Sequence, residues 1–147
     1  MAVTARMYQS RFRDWFFDRL IWNILSGLWV VKIKDFKKSK KKSERCFWGQ
    51  MVPDEKDEEG GTIYLDVDKG TPRVLLHELG HVFFNDVLDT EARDKNKTVK
   101  KIEEWGENQI LLFERRFFFC LTVQQIRILK SFIDLAQAEY KSKHRAA

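Results

Sequence analysis

The stretch Val74-Leu75-Leu76-His77-Glu78-Leu79-Gly80-His81-Val82-Phe83 decides how this chain reads. It contains H-E-x-x-H, and on a helix that spacing sets His77 and His81 on one face, where both ring nitrogens can reach one metal ion. Glu78 then stands beside the metal, placed to handle water. The plain alternative is two core histidines. The three residues before the motif and the two after it are apolar, as a buried helix requires, and this setting favours the metal site. Thr71-Pro72 pairs an N-cap residue with proline at the first helical position, so the motif helix is expected to begin there and to stop near Asn85-Asp86. Gly80 costs a helix interior about 1 kcal/mol relative to alanine, which points to close packing under the helix or to room for substrate.

Two histidines do not complete a catalytic zinc site, which takes three protein ligands and keeps a fourth position for water. The only other histidine, His144, lies near the C-terminus in a tail expected to fray. Phe84 and Val87 stand where a third histidine following the motif would be needed. The third ligand is therefore expected to be a carboxylate on the next helix, which Thr98 can cap and which runs from Val99 to about Phe119. Glu103, Glu104 and Glu107 are the candidates. Ile102, Gly106, Ile110, Phe113 and Phe117 mark a buried stripe at helical spacing, with Glu103 at its edge and Glu104 opposite its centre. Gly106, three residues after Glu103, offers the small side chain that a close helix approach needs, so Glu103 is favoured. Glu107, one turn further on, is placed to accept a hydrogen bond from the far ring nitrogen of a ligand histidine. Solvated acids near a helix N-terminus are the plain alternative for all three.

Working outward, apolar spacing through Phe12, Trp15, Phe16, Arg19, Leu20, Trp22, Asn23 and Leu25 predicts a packing helix from about Tyr8 to Leu28. Strands are expected over Leu28–Phe36, Arg45–Met51 and Thr62–Val67, separated by the basic run Lys37–Lys42 and the acidic loop Asp54–Gly61. Asp89–Lys97 reads as a polar loop, and Thr122 can cap a last helix reaching roughly Lys141. The fold class is α+β: a single domain over residues 1–147, with an N-terminal helix, a small three-stranded sheet, either an antiparallel meander or mixed, the motif helix, a glutamate helix and a C-terminal helix. At 147 residues, with 44% hydrophobic and 33% charged, the chain can bury one core and is not of disordered composition. Cys46 and Cys120 make no disulfide or metal framework and are expected to be core thiols in a reducing compartment. No signal-peptide pattern opens the chain, and Asp18, Arg19 and Asn23 interrupt the most apolar stretch, Trp15–Val31. A cytoplasmic protein without a transmembrane segment is expected, an amphipathic helix lying on a membrane surface being the alternative.

Taken together, His77-Glu78-Leu79-Gly80-His81 and Glu103-Glu104-Trp105-Gly106-Glu107 resemble the gluzincin metallopeptidases, which pair an H-E-x-x-H helix with a metal-binding glutamate on a following helix. The resemblance covers residues 62–118. The compact order of elements is similar to the minimal gluzincins, and more distantly to the ImmA/IrrE family, although Gln109 stands where that family shows an aromatic residue. The resemblance implies one zinc ion held by His77, His81 and Glu103 in a single zincin-like domain. It also implies Glu78 as general base and acid, and a peptide or protein substrate. Strand addition of the substrate backbone to an edge strand, with Thr62–Val67 as candidate, belongs to the same pattern. So does an oxyanion partner such as Tyr64, Tyr140 or His144. Two other readings stay open. One is a metal-bound sensing or interaction domain without proteolysis, for which Cys46 or the C-terminal tail could fill the open metal position. The other is nucleic-acid binding through Lys37–Lys42, with Phe36, Phe47 and Trp48 as stacking partners, in keeping with a net charge of +5.

Overall fold

Leu20 of the first helix, Ile63 and Leu65 of the sheet, Leu75, Leu76 and Leu79 of the motif helix and Leu129 of the last helix are all fully buried and share one core. The computed structural model describes residues 5–55, 60–94 and 99–145, with side chains for 9–55, 60–84, 104 and 106–144. Among these, the order is α1 (Ala5–Leu25), β1 (Trp29–Lys34), β2 (Gly49–Pro53), β3 (Gly61–Asp66), α2 (Pro72–Asp94), α3 (Val99–Phe118) and α4 (Val123–Arg145). The α+β class and element order expected from the sequence are those observed.

The sheet is mixed, with order β1-β3-β2: β1 runs parallel to β3, and β2 runs antiparallel to it. Trp29, Val31 and Ile33 alternate inward along β1, as the period-two pattern predicts, and join Ile63 and Leu65 of β3 under the helices. The three-strand order carries a correction. β3 lies in the centre, with its backbone used on both sides, so it cannot be the strand that accepts a substrate; the exposed edges belong to β1 and β2. The second strand also begins later than its apolar residues suggest, at Gly49 rather than Arg45. Lys42–Glu44 form a short 3-10 turn, and Cys46 and Phe47 line a cleft together with Trp48, whose carbonyl makes the first bond to β3.

Helix α1 buries Phe16 and Leu20 of the stripe its spacing suggests but not the rest of it. Phe16, Phe17, Leu20 and Ile21 face the core, whereas Phe12, Trp15, Trp22 and Leu25 are exposed. Apolar and charged residues are spread around the whole helix rather than segregated, so periodicity alone does not choose the buried side. Both cysteines are exposed rather than in the core. Helix α2 runs to Asp94, through the segment 89–94 whose polarity predicts a loop, and Thr98 lies outside the described residues. At the other end of α2, buried Asp66 accepts from the backbone N–H groups of Phe36, Asp68 and Lys69, fixing the turn that launches the helix. Thr71 Oγ1 then accepts from the Val74 N–H at 3.3 Å, the cap its sequence predicts. Helix α4 opens with a reciprocal capping box: the Thr122 hydroxyl accepts from the Gln125 N–H, and the Gln125 side chain accepts from the Thr122 N–H.

The close approach of α2 and α3 occurs at Gly80. A Cβ there would lie 2.9 Å from the Phe113 ring and 3.4 Å from Ile110 Cγ2, whereas a Cβ at Gly106 would meet nothing within 4 Å among the described residues. Gly80 is thus the packing glycine that its cost in the helix foretells. Rings of Phe16, Phe84 and Phe117 surround Phe113 at centroid distances of 5.8, 5.3 and 5.4 Å, so it cannot readily yield. Gly80→Ala is expected to destabilise the protein by about 1 kcal/mol, an overpacking cost of roughly 1–3 kcal/mol offset by about 1 kcal/mol of helix propensity. In a Phe113→Ala background the same change should become stabilising, which urea unfolding of the four proteins of the cycle would measure.

Candidate metal centre

With Gly80 seated against Ile110 and Phe113, the residue one turn earlier on α3, Glu107, falls opposite the two motif histidines. Its carboxylate bridges them. His77 Nε2 lies 2.9 Å from Glu107 Oε1, His81 Nε2 lies 2.9 Å from Glu107 Oε2, and the two Nε2 atoms are 3.2 Å apart. His77, His81 and Glu107 form the one group of possible metal ligands among the described residues, each offering an atom within 4.8 Å of the others. Glu104 is exposed and does not join them. Glu103 lies on α3, but its side chain is outside the described residues. Among the described residues no side chain presses on Gly106, so the close approach expected to favour Glu103 is not seen there.

Two observations bear on whether these side chains fit a zinc ion. Ligand atoms at the corners of a tetrahedron with bonds of about 2.0–2.1 Å stand roughly 3.3 Å apart; the two Nε2 atoms are 3.2 Å apart, and Glu107 meets each of them through a different oxygen at 2.9 Å, so one of its oxygens could join both rings on a shared ion. The second observation concerns protons. His77 Nδ1 is buried without a hydrogen-bond partner, and Glu114 Oε1 lies 3.4 Å away, outside hydrogen-bonding geometry. If His77 gives its single proton to Glu107 through Nε2, a bare Nδ1 lone pair faces the Glu114 carboxylate, which is unfavourable. With Nε2 as a metal ligand, the proton moves to Nδ1, where Glu114 is the acceptor.

Glu114 is a residue that the sequence reading missed. Only 12% of its side chain is exposed, and it accepts from Arg73 Nε at 2.8 Å. Arg73 stands one turn before His77 on α2, and Glu114 two turns after Glu107 on α3. The signal available was this pair of spacings: a cation four residues before the first histidine, and an acid seven residues after another acid.

The local fields follow from the geometry. Burial pushes the Glu78 carboxyl up, against the pull of His81 and His77. Burial works to lower the His77 pKa, but the hydrogen bond and charge of Glu107, with Glu78 and Glu114 behind, carry it above 6.5. Glu107 is held well below the usual carboxylate range by its hydrogen bonds to His77 and His81. A proton bound to His77 competes with a metal there, so zinc affinity is expected to fall as pH drops through a value above 6.5. Chelator-competition titrations at pH 8, 7 and 6 would measure it, and a flat profile would contradict the assignment of His77.

The three groups open on a cleft of about 600 Å³. Comparison with protein-family models, curated proteins and solved structures finds no match for the chain. One wall of the cleft is α3, through Glu107, Leu111 and Glu114; the other is Cys46, Phe47 and Trp48 leading into β2. Gly49 is needed at that junction, because a Cβ there would lie 2.9 Å from Val74 Cγ1 and 3.2 Å from Glu78 Oε1. The Asp66 N–H donates to Trp48 O and the Asp54 N–H to Gly60 O, each at 2.8 Å, so even-numbered residues of β2 turn their backbone groups toward β3. Gly49 and Met51 therefore turn theirs outward, along the cleft.

None of the three oxyanion candidates lines this cleft. Tyr64 lies on the central strand under the Lys34 ammonium. Tyr140 and His144 stack on each other at 3.9 Å in α4, which continues through His144 as helix rather than fraying, and they line a separate cavity with Lys32 and Lys34.

Proposed function

We propose that the protein is a zinc-dependent metallopeptidase of gluzincin type, with His77, His81 and Glu107 holding one zinc ion. The observation that carries this reading is the convergence of His77 Nε2, His81 Nε2 and the Glu107 carboxylate, each offering an atom within 4.8 Å of the others, beside a buried Glu78 in an open cleft. Zinc, when bound, supplies a Lewis acid that acidifies water and polarises a carbonyl. The chain's own residues supply the rest. Glu78 has its pKa raised toward the working range of a general base, so it can take a proton from the attacking water onto its carboxylate and return it to the leaving amine. Glu114, held by Arg73, lies 3.4 Å from His77 Nδ1, where a small ring rotation would let it accept the Nδ1 proton and fix the ring. The outward-facing N–H and C=O groups of Gly49 and Met51 bind an extended peptide backbone by strand addition, β2 taking the role that the sequence suggested for Thr62–Val67.

No helix of the described residues is long and apolar enough to cross a membrane. Metal analysis of the purified protein should find about one zinc per chain. Hydrolysis of a broad peptide library should stop on chelation and return with added zinc. A folded protein that ignores zinc would exclude the metal site, and a zinc-loaded protein that cleaves nothing would exclude the peptidase.

A further inference from the structure

We infer that the cleft takes acidic peptide segments, with the lysine loop Lys37–Arg45 as the surface that selects them; this substrate class rests on the peptidase reading above. The loop leads directly into the cleft wall. Residues 32–45 carry Lys32, Lys34, Lys37, Lys38, Lys40, Lys41, Lys42 and Arg45 against only Asp35 and Glu44. Both acids are committed within the loop. Asp35 caps the 3-10 turn Phe36–Lys38 and pairs with Lys38 at 3.9 Å. Glu44 accepts from the Ser39 hydroxyl at 2.8 Å and from the Gln50 amide at 3.4 Å, and lies 3.8 Å from Lys34. Lys40, Lys41 and Lys42 are exposed and form no ion pair among the described residues.

The loop is also built rather than loose. Two 3-10 turns, the Arg45 Nε bond to Ser39 O and the Glu44 bonds fix its backbone against the start of β2. Exposed lysines on a fixed backbone keep their mean positions beside the start of β2, and their summed potential reaches over a Debye length, roughly 8–10 Å at physiological salt. Phe47 and Trp48 continue from this loop into the cleft and remain 36% and 55% exposed, an apolar step in the chain between the lysine loop and the cleft that Glu78 lines. At the other end of β2, Asp54 and Glu55 follow Pro53. A peptide added along β2 thus meets cations at the Gly49 end and acids at the Pro53 end, a polarity that favours ligands with carboxylates on the lysine side. Nucleic acid would meet the same lysines, but the acids at the far end of the strand repel a uniform polyanion and the cleft offers only a short charged rim.

The test uses the full chain with zinc bound, in the Glu78→Gln form so that ligands stay intact. Fluorescein-labelled decapeptides share an apolar centre and carry four Asp/Glu, four Ser or four Lys residues on one side, each placed on either the amino or the carboxyl side. Anisotropy at low salt should find one acidic placement binding about tenfold or more tighter than its serine counterpart, in line with a few rim ion pairs acting together. The preference should shrink at 0.5 M salt and disappear in Lys40→Ser/Lys41→Ser/Lys42→Ser, whose serine-peptide affinity should be unchanged. Equal affinities, or a preference indifferent to the triple substitution, would overturn the inference. So would a single-stranded oligonucleotide of equal length that binds about tenfold tighter than the acidic peptide. Cleavage by the wild-type protein is read separately: selective binding without hydrolysis of any peptide removes the peptidase reading and keeps the acidic docking surface.

Discussion

Glu107→Gln is expected to lower zinc affinity by more than about a hundredfold, while Glu114→Gln lowers it by roughly 10–100-fold, the range typical of partners outside the ligand set. The difference follows from what each carboxylate touches. Glu107 meets both motif histidines through separate oxygens at 2.9 Å, at the point where the Nε2 atoms converge. Glu114 reaches only the far nitrogen of His77. A glutamine at 107 keeps the size and one oxygen but loses the charge that balances the metal. The substitution need not unfold the protein, because Glu107 is 48% exposed and its neighbours can be rehydrated. Competition with a chromogenic chelator would measure affinity, and circular dichroism the fold. Glu103→Gln is the decisive companion. If it abolishes zinc binding while Glu107→Gln costs only tenfold, the roles are those first expected from the sequence, with Glu103 the ligand and Glu107 its outer partner.

That exchange shows which parts of the site were legible. His77, Glu78 and His81 are fixed by local helix geometry, so their mutual arrangement can be read four residues at a time. The partner carboxylate depends on the register between two helices far apart in sequence, which is set where their surfaces interlock. Both glycines are candidates for that contact in the sequence, and only the fold shows that Phe113 and Ile110 press on Gly80, while no described residue presses on Gly106. The same limit governs the sheet. Period-two alternation locates β1 and β3, but parallel pairing of β1 with β3 places β3 in the middle and hands the free edge to β2. The segment from Arg45 to Trp48 has strand-like residues, and its role as a cleft wall follows from the 3-10 turn that precedes it. Local chemistry was readable, and the long-range register that completes it was not.

Glu78→Gln separates catalysis from binding. It is expected to reduce peptide hydrolysis by about 10²–10⁴-fold, the contribution typical of a positioned general acid–base, while leaving zinc bound, since Glu78 is not among the three converging ligands. Stability should move the other way. Glu78 is 6% exposed, and burial holds its carboxyl above 4.5 in the folded protein. A carboxyl whose folded pKa is raised binds its proton more tightly in the native state, so the wild type loses stability as pH rises above the unfolded value. The neutral amide escapes that loss. In metal-free protein the melting temperature of Glu78→Gln should therefore exceed that of the wild type at pH 7, with the gap closing toward pH 4.5. An inactive variant that is also more stable is the trade-off expected of a buried catalytic group. A variant that keeps its activity would remove Glu78 from the mechanism. One that loses zinc would make it a ligand, and one that melts lower at pH 7 would mean that its carboxylate holds the fold together.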